Sequence, residues 1–263
     1  MTNRPIAISA CVHQENEKVL RAWLWGISHL DTSGLDIHYS FVLHNPVGFE
    51  HDLFAEYLPL WESEVVTTEH KPVIRGQYSH SWGGPTVGTV ADAKNRLIEL
   101  AINHGHDILF CDSDQVMRPE TLKRLISMDK SVCGEILWTK WHTSEHERPN
   151  AWDFADYIFK QRTEKKLREP GEYQVGFIGG LVYIRHEALK AGVNYARVPN
   201  LTFWGEDRHF GVRAAVLGYE LWVDTHYPAF HIYRDSDLER LPDWITLNNE
   251  GKFQGSTTEE CNG

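Results

Sequence analysis

Short apolar segments alternate with segments of helical periodicity through the first half of the chain. Residues 6–12 and 37–43 are apolar runs of strand length. Between them, apolar residues recur at helical spacing: Val19, Leu20, Trp23, Leu24, Ile27 and Leu30. A strand, a helix and a second strand in this order are typical of a βαβ unit, whose two strands are parallel. The pattern therefore predicts an α/β fold with a largely parallel sheet.

The alternation continues to about residue 135. In order, it predicts a helix around 52–57, a strand at 65–68, a helix along Val90, Lys94, Leu97 and Ala101, a strand at 107–111, a helix after Pro119 and a strand at 132–138. Residues 75–89 are rich in glycine, serine and aromatics and have no period, so they are predicted to form a loop.

The second half is less regular. Residues 139–172 interrupt the alternation, and five of their basic residues lie within 160–168: Lys160, Arg162, Lys165, Lys166 and Arg168. A glycine-interrupted strand at 175–185, a helix at 206–217 and a strand at 221–224 follow. We predict a single domain with halves at 1–135 and 136–250, and a polar, flexible tail at 251–263.

Composition narrows the class of protein. The 263 residues carry 26 basic and 37 acidic side chains, a formal net charge of −11, with 41% hydrophobic residues. The hydrophobic content excludes global disorder. The net negative charge excludes a protein whose whole surface is basic and coats nucleic acid or anionic membranes. Apolar runs stay far below the ~20 residues of a membrane span, and we expect no secretory signal. Four cysteines without a CxxC pair favour reduced thiols and a cytoplasmic protein.

Candidate chemistry lies where predicted strands end. Ligands of open α/β sheets bind beyond the carboxyl ends of the strands, where residues 11–14, 44–45 and 112–115 are expected. Asp112 and Asp114 are two residues apart on an extended segment, so their carboxylates share a face and repel each other. Mg²⁺ or Mn²⁺ would relieve this repulsion, and an ordinary acidic turn is the alternative interpretation.

The segment 91–114, ADAKNRLIELAINHGHDILFCDSD, resembles the helix, strand and Asp-any-Asp (DxD) core of nucleotide-sugar glycosyltransferases with the GT-A fold, in particular family-2-like enzymes. The run GFIGGLVYIR at 176–185, then FWGED at 203–207, a helix and His231, is similar to the acceptor half of those enzymes. The opening ISACVHQENE resembles their first nucleotide-binding βα unit. The resemblance spans roughly residues 5–233.

The resemblance implies a GT-A-like, Rossmann-like α/β domain with a mixed, mostly parallel sheet flanked by helices. Its first half would bind the nucleotide sugar and its second half the acceptor. The implied ligands of Mn²⁺ or Mg²⁺ are Asp112, Asp114 and His231, with His226 as the alternative to the histidine. The implied donor-binding residues are Ala10, Val12, His13, Asn45, Lys94, Asn95, Asp112, Ser113, Gly179, Gly180 and Trp204.

Two of these pairs allow more than one interpretation. Lys94-Asn95 stands where family-2-like members have Arg-Asn, and a lysine can meet phosphate only as a point charge. Gly179-Gly180 is either a β-bulge or a place where a sugar approaches the backbone.

Glu206 and Asp207 open the helix predicted at 206–217. The helix dipole alone would favour two acids in a first turn. The functional interpretation makes Asp207 the general base that deprotonates the acceptor hydroxyl, ionised with the help of the helix N-terminus. Glu206 would hold a sugar hydroxyl or position the loop. A general base of this kind implies inversion at the anomeric carbon. Retaining transferases, which need no such base, also combine a Gly-Gly strand, a Trp-Gly-Glu helix start and a late histidine, so retention is the alternative.

The function predicted from the sequence is metal-dependent transfer of a sugar from a nucleoside-diphosphate sugar, with UDP favoured, to a hydroxyl acceptor. The sequence does not distinguish among a glycan, a lipid, a peptide, a small molecule and a hydroxymethylated pyrimidine in DNA as the acceptor. The basic stretch at 160–168 would suit the DNA acceptor. A nucleotidyltransferase and a non-catalytic sugar-binding module are the alternatives from other classes.

Overall fold

The computed structural model describes residues 4–13, 16–44, 48–57, 63–68, 84–141, 146–152, 161–201 and 205–249. Its first seven elements are β1 (Ile6–His13), α1 (Glu17–Ser28), β2 (Ile37–His44), α2 (Gly48–Tyr57), β3 (Ser63–Thr68), α3 (Gly84–His104) and β4 (Asp107–Cys111). Strand β1 pairs in parallel with both β2 and β4, and β2 pairs in parallel with β3. The predicted alternation of strands and helices is confirmed here.

The remaining elements are shorter. They are β5 (Gln115–Val116), α4 (Thr121–Ser127), β6 (Val132–Thr139), β7 (Arg148–Pro149), β8 (Ala151–Trp152), α5 (Gln161–Leu167), β9 (Glu172–Val175), β10 (Phe177–Ile178), β11 (Leu181–Ile184), α6 (His186–Lys190), α7 (Glu206–Val216), β12 (Leu221–His231), a 3₁₀ helix (Asp235–Arg240) and α8 (Leu241–Asn249).

One sheet joins both halves of the chain in the order β3-β2-β1-β4-β11-β6-β12-β5. Strand β11 runs antiparallel between β4 and β6, whereas β6 and β12 are parallel. The mixed, mostly parallel α/β sheet in a single domain, predicted from the pattern, is confirmed. The division into halves at residue 135 stays a prediction.

The core has two layers because alternate residues of each strand face opposite sides of the sheet. Leu109 and Cys111 of β4 pack with Trp23 of α1, whereas Ile108 and Phe110 pack on the side of α3. The Trp23 ring lies 5.5 Å from that of Phe41, centroid to centroid. Helices thus cover both faces, which leaves the carboxyl edge of the strands for ligands.

Two predicted boundaries were wrong. Residues 84–89, predicted as part of a loop, form the first turns of α3, which begins at Gly84-Pro85; proline suits a first turn because no partner exists there for an N–H. Residues 75–83 lie outside the described residues. The single strand predicted at 175–185 is split into β9, β10 and β11, since Gly180 has φ +80° and turns the chain between the last two.

The last strand is longer than predicted and runs to His231, with an irregular register between Asp224 and Ala229. This extension carries β12 to the carboxyl edge of the sheet, beside Thr139 at the end of β6. The tail at 251–263 lies outside the described residues. Among those described, no helix has the length and apolar character needed to cross a lipid bilayer.

Candidate active site

A buried lysine joins three carboxylates at the carboxyl edge of the sheet. Lys94 Nζ of α3 lies 2.9 Å from Glu206 Oε1, 3.4 Å from Asp112 Oδ1 and 3.9 Å from Asp207 Oδ1. The lysine side chain is only 2% exposed. Burial alone would lower the pKa of Lys94, but the three carboxylates outweigh burial and raise it well above its ordinary value. The positive charge of Lys94 is therefore favoured, and its contacts link α3 to α7 and to the turn that follows β4.

This placement changes the role expected for Lys94. The resemblance implies contact with a donor phosphate, whereas the structure directs Nζ at side chains of the protein and places it 5.0 Å from the centre of the Tyr195 ring. The neighbouring Asn95 accepts a hydrogen bond from Tyr195 N at 2.8 Å, so its carboxamide oxygen fixes the chain before α7. Donor contact by either residue stays a prediction.

Glu206 and Asp207 occupy different environments in the first turn of α7. The Glu206 side chain is 5% exposed and is held by Lys94, whereas that of Asp207 is 22% exposed. Burial and the adjacent Glu206 raise the pKa of Asp207 well above its ordinary value, against the opposing effect of Lys94. This direction runs against the expectation that the helix N-terminus keeps Asp207 readily ionised, because desolvation and a like charge both favour the neutral acid.

Gly179 and Gly180 make room for side chains of the protein. A Cβ atom at Gly179 would overlap the Asp207 carboxylate, and one at Gly180 would overlap the Gln115 amide. Asn150 Nδ2 donates to Gly179 O at 2.7 Å, and Gly179 N donates to Asn150 O at 3.0 Å. The glycines thus set the position of Asp207 and Gln115, and their contact with a sugar stays a prediction.

Asp114 and His231 meet across the end of β12. His231 Nε2 lies 3.2 Å from Asp114 Oδ2, and Ile232 N donates to Asp114 O at 2.8 Å. Burial alone would lower the pKa of His231, but Asp114 and then Asp112 outweigh it and raise that pKa. His226, the alternative histidine, instead lies 2.7 Å from Asp224 Oδ1 through its Nδ1. His231 is therefore the histidine placed beside the Asp-Ser-Asp turn.

The two aspartates of that turn face different partners. Asp112 lies beside Lys94 and Asp114 beside His231. Burial, chiefly, together with Asp114 and Glu206 raises the pKa of Asp112 to about 6, although Lys94 opposes this. In the described part of the chain, no three histidine, cysteine or acidic side chains are gathered closely enough to hold a metal ion. The structure thus pairs two of the three predicted ligands, and ligation stays a prediction.

Other predicted donor-binding residues lie around this edge. Ala10 and Val12 of β1 are buried in the core beneath α1, so their side chains are closed to a donor, and donor contact by their backbone stays a prediction. Ser113 Oγ donates to Cys11 O at 3.5 Å, which ties the Asp-Ser-Asp turn to β1. His13 ends β1. Asn45 and Trp204 lie outside the described residues, as do residues 14 and 75–83.

Two residues of the basic stretch at 160–168 contact aromatic rings of the protein itself. Arg168 lies 3.8 Å from the centre of the Trp138 ring, and Lys166 lies 5.1 Å from that of Tyr173. Lys160 lies outside the described residues. Such cation–π contacts stabilise the packing of α5 on the sheet without a ligand.

Sequence reasoning missed Thr139 and Asn150, and it gave Gln115 no role of its own within the cluster 112–115. Thr139 Oγ1 lies 2.7 Å from His231 Nδ1, and Asn150 Oδ1 accepts from Leu137 N at 2.9 Å. Their roles depend on contacts between residues 13 to 92 positions apart, for which a single sequence has no local signal.

No family model and no curated protein matches the chain. Solved structures do match it. S. aureus TarS is 15% identical with a TM-score of 0.56, over 93% of this chain and 40% of that one. TarS 1-349 in complex with UDP is 15% identical with a TM-score of 0.57, over 93% of this chain and 66% of that one. GalNAc-T7 with UDP, GalNAc and Mn²⁺ is 16% identical with a TM-score of 0.59, over 88% of this chain and 44% of that one.

At these identities the likeness shows the fold. The neighbours have the GT-A fold, so the GT-A-like fold predicted from the resemblance is confirmed. The chain spans less than half the length of the TarS and GalNAc-T7 chains that it matches at 40% and 44% coverage.

Proposed function

We propose that the chain is a glycosyltransferase that uses a divalent cation and a nucleoside-diphosphate sugar, with UDP as the favoured nucleotide. The observation that carries this proposal is the meeting of Asp114 with His231 and of Asp207 with Gly179 at one edge of a GT-A sheet. Neighbouring folds bind UDP, and one of them binds Mn²⁺. In a site with two separate acidic groups, one group, at Asp114, can bind the donor, and the other, Asp207, can act on the acceptor.

The donor set fits Mn²⁺ or Mg²⁺. Carboxylate oxygens and one imidazole nitrogen are ligands that Mn²⁺ accepts, and Asp112, Asp114 and His231 supply them. When bound, such an ion neutralises negative charge on the diphosphate leaving group. Asp114 and His231 would hold it, with Asp112 as the third ligand or as a contact to the donor.

The acceptor side of the mechanism belongs to Asp207. Its carboxylate is the more exposed of the two acids that open α7, and its raised pKa makes its ionised form a stronger base. We assign to it the removal of the acceptor hydroxyl proton, with inversion at the anomeric carbon. Glu206, held by Lys94 at 2.9 Å, fixes the helix turn from which Asp207 projects.

A ligand titration tests the proposal. Thermal unfolding is followed with UDP- and GDP-sugars, with and without Mn²⁺, because a ligand that binds the folded state raises the apparent stability. We expect a rise with a UDP-sugar that requires Mn²⁺. Asp114→Ala should abolish both this rise and sugar transfer while the fold persists, and Asp31→Ala on the exposed surface should change neither.

The other classes predict different results. A nucleotidyltransferase would join the nucleotide of a nucleoside triphosphate to a sugar phosphate and release inorganic diphosphate. A sugar-binding module would be stabilised by free glycans without nucleotide or metal. Full transfer activity of Asp114→Ala in EDTA would refute metal-dependent transfer.

A further inference from the structure

Thr139 and His231 end two neighbouring parallel strands. In the register of β6 and β12, Ala229 lies opposite Leu137, and two residues further along each strand are His231 and Thr139. The Thr139 side chain is buried, and its Oγ1 lies 2.7 Å from His231 Nδ1. The other ring nitrogen, Nε2, faces Asp114 Oδ2. Both nitrogens of this imidazole therefore have defined partners.

A hydroxyl group suits Nδ1 in either of its states because it can donate or accept a hydrogen bond. When Nε2 carries a proton and donates it to Asp114, Thr139 can donate to an unprotonated Nδ1. When the lone pair of Nε2 binds a cation, the ring proton lies on Nδ1, and Thr139 can accept from it. A proton present on Nε2 then moves to Nδ1 through solvent or is released to solvent.

We propose that Thr139 is a positioning residue that holds the His231 ring with Nε2 directed at the divalent cation. The inference deepens the proposed function and rests on it. Partners on the second nitrogen of a histidine ligand fix its orientation and protonation, and their loss typically weakens metal binding by about 10–100-fold.

The backbone around Thr139 is itself fixed. Arg234 donates from Nη1 to Lys140 O and from Nη2 to Trp141 O, both at 2.6 Å. This bidentate contact ties the segment that follows Thr139 to the segment that follows His231. On the other side of His231, β12 pairs with Gln115 of β5, the residue after Asp114. The hydroxyl, the imidazole and the carboxylate thus sit on three segments whose backbones are joined by hydrogen bonds.

The test compares Thr139→Val, which keeps the shape and removes the hydroxyl, with Thr139→Ser, which keeps the hydroxyl. The apparent affinity for Mn²⁺ is measured by thermal shift at fixed UDP, and nitrogen coordination by pulsed electron paramagnetic resonance of bound Mn²⁺. We expect Thr139→Val to weaken Mn²⁺ about 10-fold or more and to reduce the signal of coordinated imidazole nitrogen. Thr139→Ser should retain both.

A double-mutant cycle separates positioning from packing. In a His231→Gln background the ring is absent, so Thr139→Val should weaken Mn²⁺ no further. Equal Mn²⁺ affinity and an equal nitrogen signal in wild type and Thr139→Val would overturn the inference while leaving the proposed function intact. Failure of the wild-type protein to bind Mn²⁺ with UDP would overturn the proposed metal dependence and the inference with it. An equal loss in both backgrounds would also overturn the inference.

Discussion

Two clusters in this molecule combine one cation with several acids, and they differ in how completely the acids are satisfied. Lys94 meets Asp112, Glu206 and Asp207 at the carboxyl edge of the sheet. Arg124 of α4 meets Asp224 and Glu172, on β12 and β9. The second cluster lies midway along β12, where Asp224 pairs in register with Glu135 of β6. The residue types are alike, so their position in the sheet and their hydrogen bonds must distinguish their roles.

The Asp224 carboxylate is buried, and both of its oxygens accept hydrogen bonds. Its side chain is 0% exposed, and it accepts from Arg124 Nε at 2.8 Å, from His226 N at 3.1 Å and from His226 Nδ1 at 2.7 Å. Burial and the neighbouring Asp224 raise the pKa of Glu135 well above its ordinary value, which favours a neutral acid there. Within this cluster the buried Asp224 is held by hydrogen bonds, whereas Glu172 is 34% exposed and meets Arg124 near the surface. The contacts of Asp224 favour a structural role.

Asp207 shows the opposite arrangement. No hydrogen-bond donor among the described residues reaches its buried Oδ1 atom, and Lys94 stays 3.9 Å away. Its side chain lies over the bare backbone of Gly179, at the edge where α/β sheets bind ligands. The side chain as a whole is 22% exposed, so a substrate hydroxyl can approach this carboxylate from the solvent side. The comparison therefore favours a structural role for the Arg124 cluster and supports the catalytic role proposed for Asp207.

The largest effect on stability is expected from the structural cluster. Asp224→Ala should lower the free energy of unfolding by about 3–5 kcal/mol, because it leaves Arg124 and His226 without a buried partner. Unfolding in urea measures this loss. The matched control is Glu172→Ala, which removes the more exposed partner of Arg124 and should cost less than about 1 kcal/mol. Equal, small losses in both variants would remove the contrast between the two clusters.

Asp207→Asn should affect catalysis instead. We expect kcat to fall at least ~10²-fold, which is about 2.7 kcal/mol, with little change in donor affinity, because the amide cannot take the acceptor proton. Its free energy of unfolding should stay unchanged or rise, since a charge beside Glu206 is removed. Steady-state kinetics and urea unfolding measure the two effects, and NMR of the product gives the anomeric configuration.

Glu206→Gln is the control within the same turn. It removes the acid that is closest to Lys94, so it should lower stability more than Asp207→Asn does. A near-normal rate for Asp207→Asn, or a retained anomeric configuration, would show that Asp207 is not the base of an inverting reaction.

The same comparison explains what the sequence could predict. The order of Asp112, Asp114, Glu206, Asp207 and His231 along the chain reflects local signals at strand ends and at a helix start, and alternation of apolar segments predicted the sheet. The partners of these residues could not be predicted. Lys94 meets Glu206 across 112 positions, and Thr139 meets His231 across 92. The first pair depends on the packing of α3 against α7 and the second on which strands become neighbours in the sheet. Apolar periodicity specifies neither.

Local patterns also misled where two interpretations compete. Glycine and serine at 75–89 suggested a loop, yet Gly84-Pro85 begins a helix. The acids at the start of α7 suggested ionised side chains stabilised by the dipole. Burial and the adjacent Glu206 instead raise the pKa of Asp207, against the effect of Lys94, and desolvation of this kind depends on tertiary packing.

The smallest expected effect is a pH dependence that separates an acid of the Lys94 cluster from an acid on the surface. The folded-state pKa of Asp112 is raised from 3.8 to about 6, so ionising this group is harder in the folded protein than in the unfolded chain. Its contribution to stability becomes unfavourable as the pH rises from about 4 to 6 and stays so above 6. Asp31 is the opposite case, because Lys123 and Ser33 lower its pKa to about 2. Its contribution is favourable above about pH 4 and is lost as the pH falls towards 2.

Asp112→Asn should therefore gain stability relative to wild type between pH 4 and 7 in EDTA, by about 1 kcal/mol after allowance for solvent screening of a side chain that is 37% exposed. Asp31→Asn should lose stability relative to wild type at pH 7 and recover it only below about pH 4. Calorimetric melting of the three proteins from pH 3 to 8 measures both differences. Opposite slopes in the two variants would confirm that position alone gives identical side chains opposite effects on stability. A flat difference for Asp112→Asn would mean that Lys94 offsets the burial of this carboxylate in full, and the Lys94 cluster would then resemble the satisfied cluster around Arg124.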